Sequence, residues 1–211
     1  NNSVGTKRLG VKTGAVLTLG DDSTGIQIIE KLKKEEVDLT YVIQQPSTLS
    51  NFNIVVVYTG ERTIFTYHAP RSYEFPVQLP KVSWVYLTSM GESYRPFYNH
   101  ITEWLVKNPE TKMAFNPGSW QLKGGIQEIG NVFKLSDIVF VNKQEAEKLT
   151  GFEAKSEVTK ELLMALSGLG PKTSVITDGS NGAFVFDGRE FLSCGIMPMD
   201  AYERTGAGDA F

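Results

Sequence analysis

Residues 138–151 read Ile138-Val139-Phe140-Val141-Asn142-Lys143-Gln144-Glu145-Ala146-Glu147-Lys148-Leu149-Thr150-Gly151, and their reading decides the fold. Ile138 to Val141 is a short β-branched and aromatic run that reads as a buried strand. Lys143 to Leu149 reads as a helix, and Gly151 ends it as the residue just past a C-terminus. The same alternation runs outward in both directions. Upstream lie a strand at Val82 to Leu87, a helix at Tyr94 to Val106, a strand at Lys112 to Phe115 and a helix at Ile126 to Leu135. In the first of these helices Phe97, Ile101, Trp104 and Leu105 fall on the inward face, with His100 as a packing residue. Downstream come a helix at Val158 to Leu169 and a strand at Lys172 to Thr177. A hairpin of Ala183 to Phe186 and Glu190 to Ser193 closes across Asp187-Gly188. Repeated β-α units predict an α/β fold: a mostly parallel, doubly wound sheet with helices on both faces.

The N-terminal third keeps this rhythm less strictly. Val4 to Leu9 reads as the end of a helix stopped by Gly10, and Ala15 to Leu19 as a strand. Asp21-Asp22-Ser23 supplies N-cap chemistry for a helix with Ile26, Ile29 and Leu32 on one face. Asn53 to Tyr58 and Arg62 to Tyr67, joined by Thr59-Gly60-Glu61, read as a β-hairpin. With its flanks near residues 40–72 it breaks the alternation and is a candidate lid inserted into one domain spanning 1–211.

Composition narrows the function. Apolar residues make up 41% of the chain, enough for a sizeable core, and the net charge is −3 without a basic cluster. That argues against a nucleic-acid or anionic-membrane surface. Apolar runs such as Ile54 to Tyr58 are far too short to span a bilayer, which needs roughly 20 residues. Cys194 is the single cysteine, so neither an intrachain disulfide nor a thiolate metal cluster is expected. A soluble, cytoplasmic protein with a small-molecule partner is the expectation.

In such a sheet, ligands sit beyond the C-terminal ends of the strands. Phe115-Asn116-Pro117-Gly118, Val141-Asn142-Lys143-Gln144-Glu145 and Ile176-Thr177-Asp178-Gly179 each bring polar residues to that edge. Each also has a structural reading: Asn116-Pro117-Gly118 is turn chemistry, and Asn142 is a good N-cap. Thr205-Gly206-Ala207-Gly208-Asp209-Ala210-Phe211 is sharper. Gly206 and Gly208 free backbone N–H groups to face an anion at the start of a helix. An acidic residue at such a mouth suits proton removal from an alcohol as it attacks a γ-phosphoryl group. A glycine turn with Asp209 as an N-cap is the other reading. Gly170-Pro171-Lys172-Thr173 lacks a P-loop core, and no Gly-x-Gly-x-x-Gly follows a first strand. With His68 and His100 the only histidines, a serine-hydrolase triad has little support.

Thr205 to Phe211 resembles the C-terminal signature of the ribokinase-like (PfkB) family of carbohydrate kinases. Asn142-Lys143-Gln144-Glu145 is similar to the family's Asn-x-x-Glu motif, and Thr177-Asp178-Gly179 with Gly182 to its nucleotide-binding strand end. Gly60-Glu61-Arg62-Thr63 matches its lid turn, and Asn1 to Gly10 its first signature. The resemblance implies a ribokinase-like fold with a small β lid and transfer of the ATP γ-phosphoryl group to a sugar hydroxyl. A nucleoside kinase and a catalytically silent nucleotide- or sugar-binding module are the alternatives. It implies Asp209 as the catalytic base, and Gly206, Ala207 and Gly208 as an anion hole. Asn142 and Glu145 would organise Mg2+ around the ATP phosphates, Thr177 and Gly179 would line the nucleotide site, and Asn1 would bind a substrate hydroxyl. Relatives also imply a monovalent cation such as K+ and a homodimer through the lid. The family's first strand and C-terminal helices are expected to be missing, leaving an incomplete domain.

Overall fold

The computed structural model describes residues 1–58, 61–154 and 158–197, together with Gly206 and Gly208. The fold divides into two compact units, Asn1–Gln78, with which the two C-terminal glycines group, and Leu79–Arg204.

The first unit opens with helix α1 (Asn2–Arg8), strand β1 (Gly14–Gly20), helix α2 (Ser23–Lys34) and strand β2 (Asp38–Gln45). β1 and β2 pair in parallel, from Gly14↔Asp38 to Gly20↔Gln45. Asp22 caps α2, its Oδ1 accepting the Gly25 N–H at 3.0 Å. Ala15, Leu32 and Val37 form the buried centre, flanked by Val4, Leu17, Ile28, Leu39 and Val42. The inward stripe of α2 therefore runs through Gly25, Ile28 and Leu32, spaced three and four apart. Ile26, expected on that stripe, is 48% exposed. Arg8 donates to Glu35 through Nη2 at 2.5 Å and Nε at 2.8 Å, tying α1 to the end of α2. This paired contact holds the Glu35 carboxyl down at about 2.

Strands β3 (Phe52–Tyr58) and β4 (Glu61–Tyr67) make an antiparallel pair in register from Phe52↔Tyr67 to Tyr58↔Glu61. Every residue of β3 is exposed, which leaves apolar side chains on the surface of both faces of the ribbon. Asp38–Gln45, at the front of the 40–72 segment, belongs instead to the parallel pair with β1. Its alternation is blurred because no residue in it is fully buried, so the sequence does not mark it as a strand.

The second unit contains strand β5 (Trp84–Leu87), a 3-10 turn (Glu92–Tyr94), helix α3 (Arg95–Lys107), strand β6 (Lys112–Phe115), and helices α4 (Ser119–Gly124) and α5 (Ile126–Leu135). Strand β7 (Ile138–Asn142), helices α6 (Lys143–Thr150) and α7 (Lys160–Ser167), and strands β8 (Thr173–Thr177), β9 (Ala183–Phe186) and β10 (Phe191–Cys194) follow. They form a six-stranded sheet in the order β10-β9-β8-β7-β6-β5. β5 to β8 are parallel, and the β9–β10 hairpin adds antiparallel strands at one side. Helices α5, α6 and α7 pack against this sheet.

An edge-to-face aromatic series links α3, β6 and α5 across the core. Ring centroids are 4.9 Å apart for Tyr94–Tyr98, 5.9 Å for Tyr98–Phe115 and 5.6 Å for Phe115–Phe133. The Tyr94 hydroxyl donates to Glu128 Oε2 at 2.5 Å, and Arg95 Nη2 donates to Glu128 Oε1 at 2.7 Å. These bonds fasten the start of α3 to α5. Tyr98 takes the inward place expected of Trp104, which is only half-buried, and His100, expected in the packing, is exposed. Gly182 has φ +91°, and an added Cβ would lie 2.1 Å from the Cys194 carbonyl oxygen, so only glycine fits where β9 starts. The helix expected from Val158 begins at Lys160, capped by Thr159, whose Oγ1 accepts the Leu162 N–H at 3.3 Å. Among the described residues no helix is long and apolar enough to cross a membrane.

Phe133 is fully buried at the end of the aromatic series. Phe133→Ala is expected to destabilise the protein by about 3–5 kcal/mol, with Phe133→Leu costing much less. Equilibrium urea unfolding of the variants measures the difference.

Candidate functional site

Parallel pairing brings the C-terminal ends of β5, β6, β7 and β8 to one edge of the sheet. The β7–β8 register runs without interruption from Ile138↔Thr173 to Asn142↔Thr177. Asn142 and Thr177, singled out on sequence grounds, are thus neighbours across one rung of the ladder. Each is the last residue of its strand.

Asn142 also starts α6. Its Oδ1 accepts the Glu145 N–H at 2.9 Å, and Glu145 Oε2 accepts the Asn142 N–H at 2.9 Å. This reciprocal capping box satisfies two N–H groups that an α-helix leaves without intrahelical partners. The motif is therefore structural as well as a candidate for ligand chemistry. Glu145 is half-buried, and burial pushes its carboxyl above the ordinary range, with the Asn142 N–H pulling the other way. Gly151 ends the helix in the left-handed conformation.

Beyond Thr177 the chain turns tightly. The Asp178 N–H donates to the Gly182 carbonyl at 2.8 Å, and Asn181 Nδ2 donates to Asp178 Oδ2 at 2.9 Å. Gly179 opens the short 3-10 turn Gly179–Asn181 in an exposed position with nothing within 4 Å of an added Cβ. Gly179 is thus exposed just beyond the strand end at Thr177, whose rung partner is Asn142. Asn116 reaches the same edge, but its Nδ2 donates to the Phe140 carbonyl at 2.8 Å, so it ties β6 to β7.

The remaining sequence candidates lie elsewhere. Asn1 is the N-cap residue of α1 in the first unit, its carbonyl accepting the Gly5 N–H at 2.8 Å. Gly206 sits in a turn with φ +83°, and Gly208 is helical and exposed, with open space where a Cβ would be. Ala207 and Asp209 lie outside the described residues, as does Gly60 of the hairpin turn. No group of three or more His, Cys, Asp and Glu side chains among the described residues could hold a metal ion by itself.

Sequence reasoning missed Gln121. It is fully buried at the start of α4, and its amide bonds the backbones of Met90 and Gly118. The available signal was a Gln three residues after Gly118, the spacing of a capping box.

A family profile described as "pfkB family carbohydrate kinase" matches residues 1–211. The chain belongs to this family. Among curated relatives, it is 25% identical over 223 residues to the ATP-dependent 6-phosphofructokinase of Thermoanaerobacterium thermosaccharolyticum, covering 100% of this chain and 68% of the relative. It is 43% identical to the cytidine kinase of Thermococcus kodakarensis over 77 residues, 36% of this chain and 26% of that one. Its fold matches Arabidopsis thaliana ribokinase complexed with ribose and ATP, with TM-score 0.80 at 20% identity, covering 99% of this chain and 69% of that one. The ribokinase-like fold read from the sequence is the one observed.

Asn142 and Glu145 separate in their effects on stability. Asn142→Ala is expected to cost about 1 kcal/mol through the lost cap. Glu145→Gln keeps an accepting oxygen for the Asn142 N–H and removes a carboxylate that burial disfavours. Because the folded-state pKa is raised, the fold carries that cost at neutral pH and is relieved of it as the carboxyl takes up a proton in acid. Glu145→Gln should therefore melt no lower than the parent at neutral pH, the difference narrowing toward acid. Thermal unfolding across a pH series measures both variants.

Proposed function

We propose that this protein is an ATP-dependent kinase that transfers the γ-phosphoryl group to a hydroxyl of a sugar or sugar derivative. The observation that carries the reading is the side-by-side placement of Asn142 and Thr177, with the half-buried carboxyl of Glu145 one helical turn away. Membership of a carbohydrate-kinase family supports it.

Mg2+ fits these residues in a restricted way. Among the described residues no group of three or more acidic, His or Cys side chains gathers there, which suits an ion held chiefly by phosphate oxygens and water. Glu145 and Asn142 would hold it, and when bound with ATP it supplies neutralisation of phosphate charge. The chain's own residues do the rest. Thr177 and the exposed backbone at Gly179 orient the nucleotide, and Asn1 binds an acceptor hydroxyl. Asp209 takes the proton from the acceptor oxygen as that oxygen attacks the γ-phosphorus and the bond to the β-phosphate bridging oxygen breaks, releasing ADP. Gly206, Ala207 and Gly208 direct backbone N–H groups at the charge that develops on the transferred group. Most of the catalysis in this scheme is positioning and charge stabilisation.

A nucleoside acceptor is the second reading. The local 43% identity to a cytidine kinase favours it.

ADP release, measured on the protein from its whole reading frame with Mg·ATP and a panel of pentoses, hexoses, keto-sugar acids and nucleosides, tests both. Release with one acceptor class, lowered about 100-fold or more by Asp209→Asn while ATP still binds, is the expected result. Nucleotide binding without release on any acceptor would instead favour a silent binding module.

The apolar β3–β4 ribbon is the surface through which we propose two copies pair. Ile54 and Phe65, 55% and 59% exposed, are register partners on it. A dimer that Phe65→Lys converts to a monomer in sedimentation velocity is expected; an unchanged state would remove this interface.

A further inference from the structure

We propose that Asn181-Gly182, in the turn beyond β8, is a site of spontaneous deamidation that slowly gives this turn a second negative charge. The consequence for nucleotide binding rests on the kinase reading above; the chemistry at Asn181 does not.

An asparagine is most labile before a glycine, because the attacking group is the next residue's backbone nitrogen and glycine has no side chain to shield it. Asn181-Gly182 is the one such pair in the sequence. Every other asparagine precedes a residue with a side chain, as in Asn51-Phe52, Asn131-Val132 and Asn142-Lys143. Asn181 is exposed and closes the 3-10 turn Gly179–Asn181, which is only three residues long. The Gly182 N–H donates to the Gly179 carbonyl at 3.3 Å, longer than the usual range for such bonds. A short surface turn with this geometry opens at little cost and frees the nitrogen.

The fold holds the labile pair in place from both sides. Gly182 has φ +91°, and an added Cβ would lie 2.1 Å from the Cys194 carbonyl oxygen, so a shielding side chain has no room. Asn181 supplies the Nδ2 that donates to Asp178 Oδ2 at 2.9 Å. Each residue is required for its own reason, and their adjacency creates the reactive dipeptide.

The Gly182 nitrogen bonds to Asn181 Cγ, the Cγ–Nδ2 bond breaks, and the amide leaves as ammonia with the proton from the glycine nitrogen. Water then opens the cyclic imide at one of its two carbonyls. The product is aspartate, or isoaspartate where the chain continues through the side-chain carbonyl. No oxidation state changes. The group that donated to Asp178 is now a carboxylate, and two like charges face each other where a hydrogen bond stood. The turn follows Thr177 directly, so the added charge lies beside the residues assigned to the nucleotide and opposes its phosphates.

Ageing the purified protein in mildly alkaline buffer at physiological temperature, followed by peptide mass mapping, reads the conversion. Residue 181 is expected to lose its amide before any other asparagine. Asn181→Gln, whose longer side chain would have to close a larger ring, is expected to stay intact. An amide at 181 that outlasts the others, or is lost at the same pace, would overturn the inference.

Calorimetric titration with Mg·ATP reads the consequence. Asn181→Asp and the aged protein are expected to bind about fivefold or more weakly than fresh protein, and Asn181→Gln within about twofold of it. Saturating Mg·ATP should slow the conversion by holding the turn closed. The aged protein carries the same comparison if Asn181→Asp does not fold. Equal affinity of fresh and aged protein would overturn the nucleotide consequence and leave the kinase reading intact. Absence of nucleotide binding by fresh protein would overturn the kinase reading, while the mass map still decides the chemistry at Asn181.

Discussion

The rest of the candidate site depends on the parallel pairing of β7 with β8. Its rungs run unbroken from Ile138↔Thr173 to Asn142↔Thr177. Side chains alternate along a strand, so a slip of one residue would move each to the opposite face and separate Asn142 from Thr177. The inward side of β7 resists that slip. Val139 and Val141 are buried on it, and exchanging them for their less buried neighbours would expose apolar surface. α6 starts on the last rung of β7, so its capping geometry inherits the same register.

Asn142 and Glu145 combine requirements that usually compete. A helix N-terminus favours a carboxylate through its unpaired N–H groups, whereas burial favours the protonated acid. At Glu145 burial prevails, even though the Asn142 N–H donates to the carboxylate. A carboxyl held this way is placed accurately but incompletely solvated, and a nearby cation would lower its free energy more than it would for a carboxylate fully in water. The capping box holds the geometry, and the residual desolvation makes the same group responsive to charge. One spacing, Asn-x-x-Glu, meets both needs.

The β3–β4 ribbon shows the opposite balance. Its register is complete from Phe52 to Tyr67, and its one described ring contact is the stacked Phe52–Tyr67 pair at 5.2 Å. Isolated two-stranded ribbons are marginal in water, and apolar residues exposed on both faces form an attractive surface for another chain or a ligand. The sheet of the second unit differs because helices and an aromatic core cover it.

Much of this was legible without coordinates, because it depends on short-range patterns. The strand-helix alternation marked β5 to β10, α3, α5, α6 and α7 to within a residue or two, since local periodicity and caps set those ends. The Asn142–Glu145 spacing and the strand ending at Thr177 could be read the same way. β2 and α4 could not: β2 has no fully buried residue to sharpen its alternation, and α4 follows the Asn116-Pro117-Gly118 turn too closely to show a period. The side of α2 facing inward was also misjudged at Ile26, because that choice is made by where Ala15 and Val37 lie. By itself the sequence determined the fold class and where the parallel strands end in polar residues, both being encoded in patterns within a few residues. Only the tertiary structure decided that Asn142 stands beside Thr177, that Asn116 bonds a neighbouring strand, and that Gln121 holds Met90. Those contacts join segments 24 to 35 residues apart, and long-range backbone pairing and burial select them.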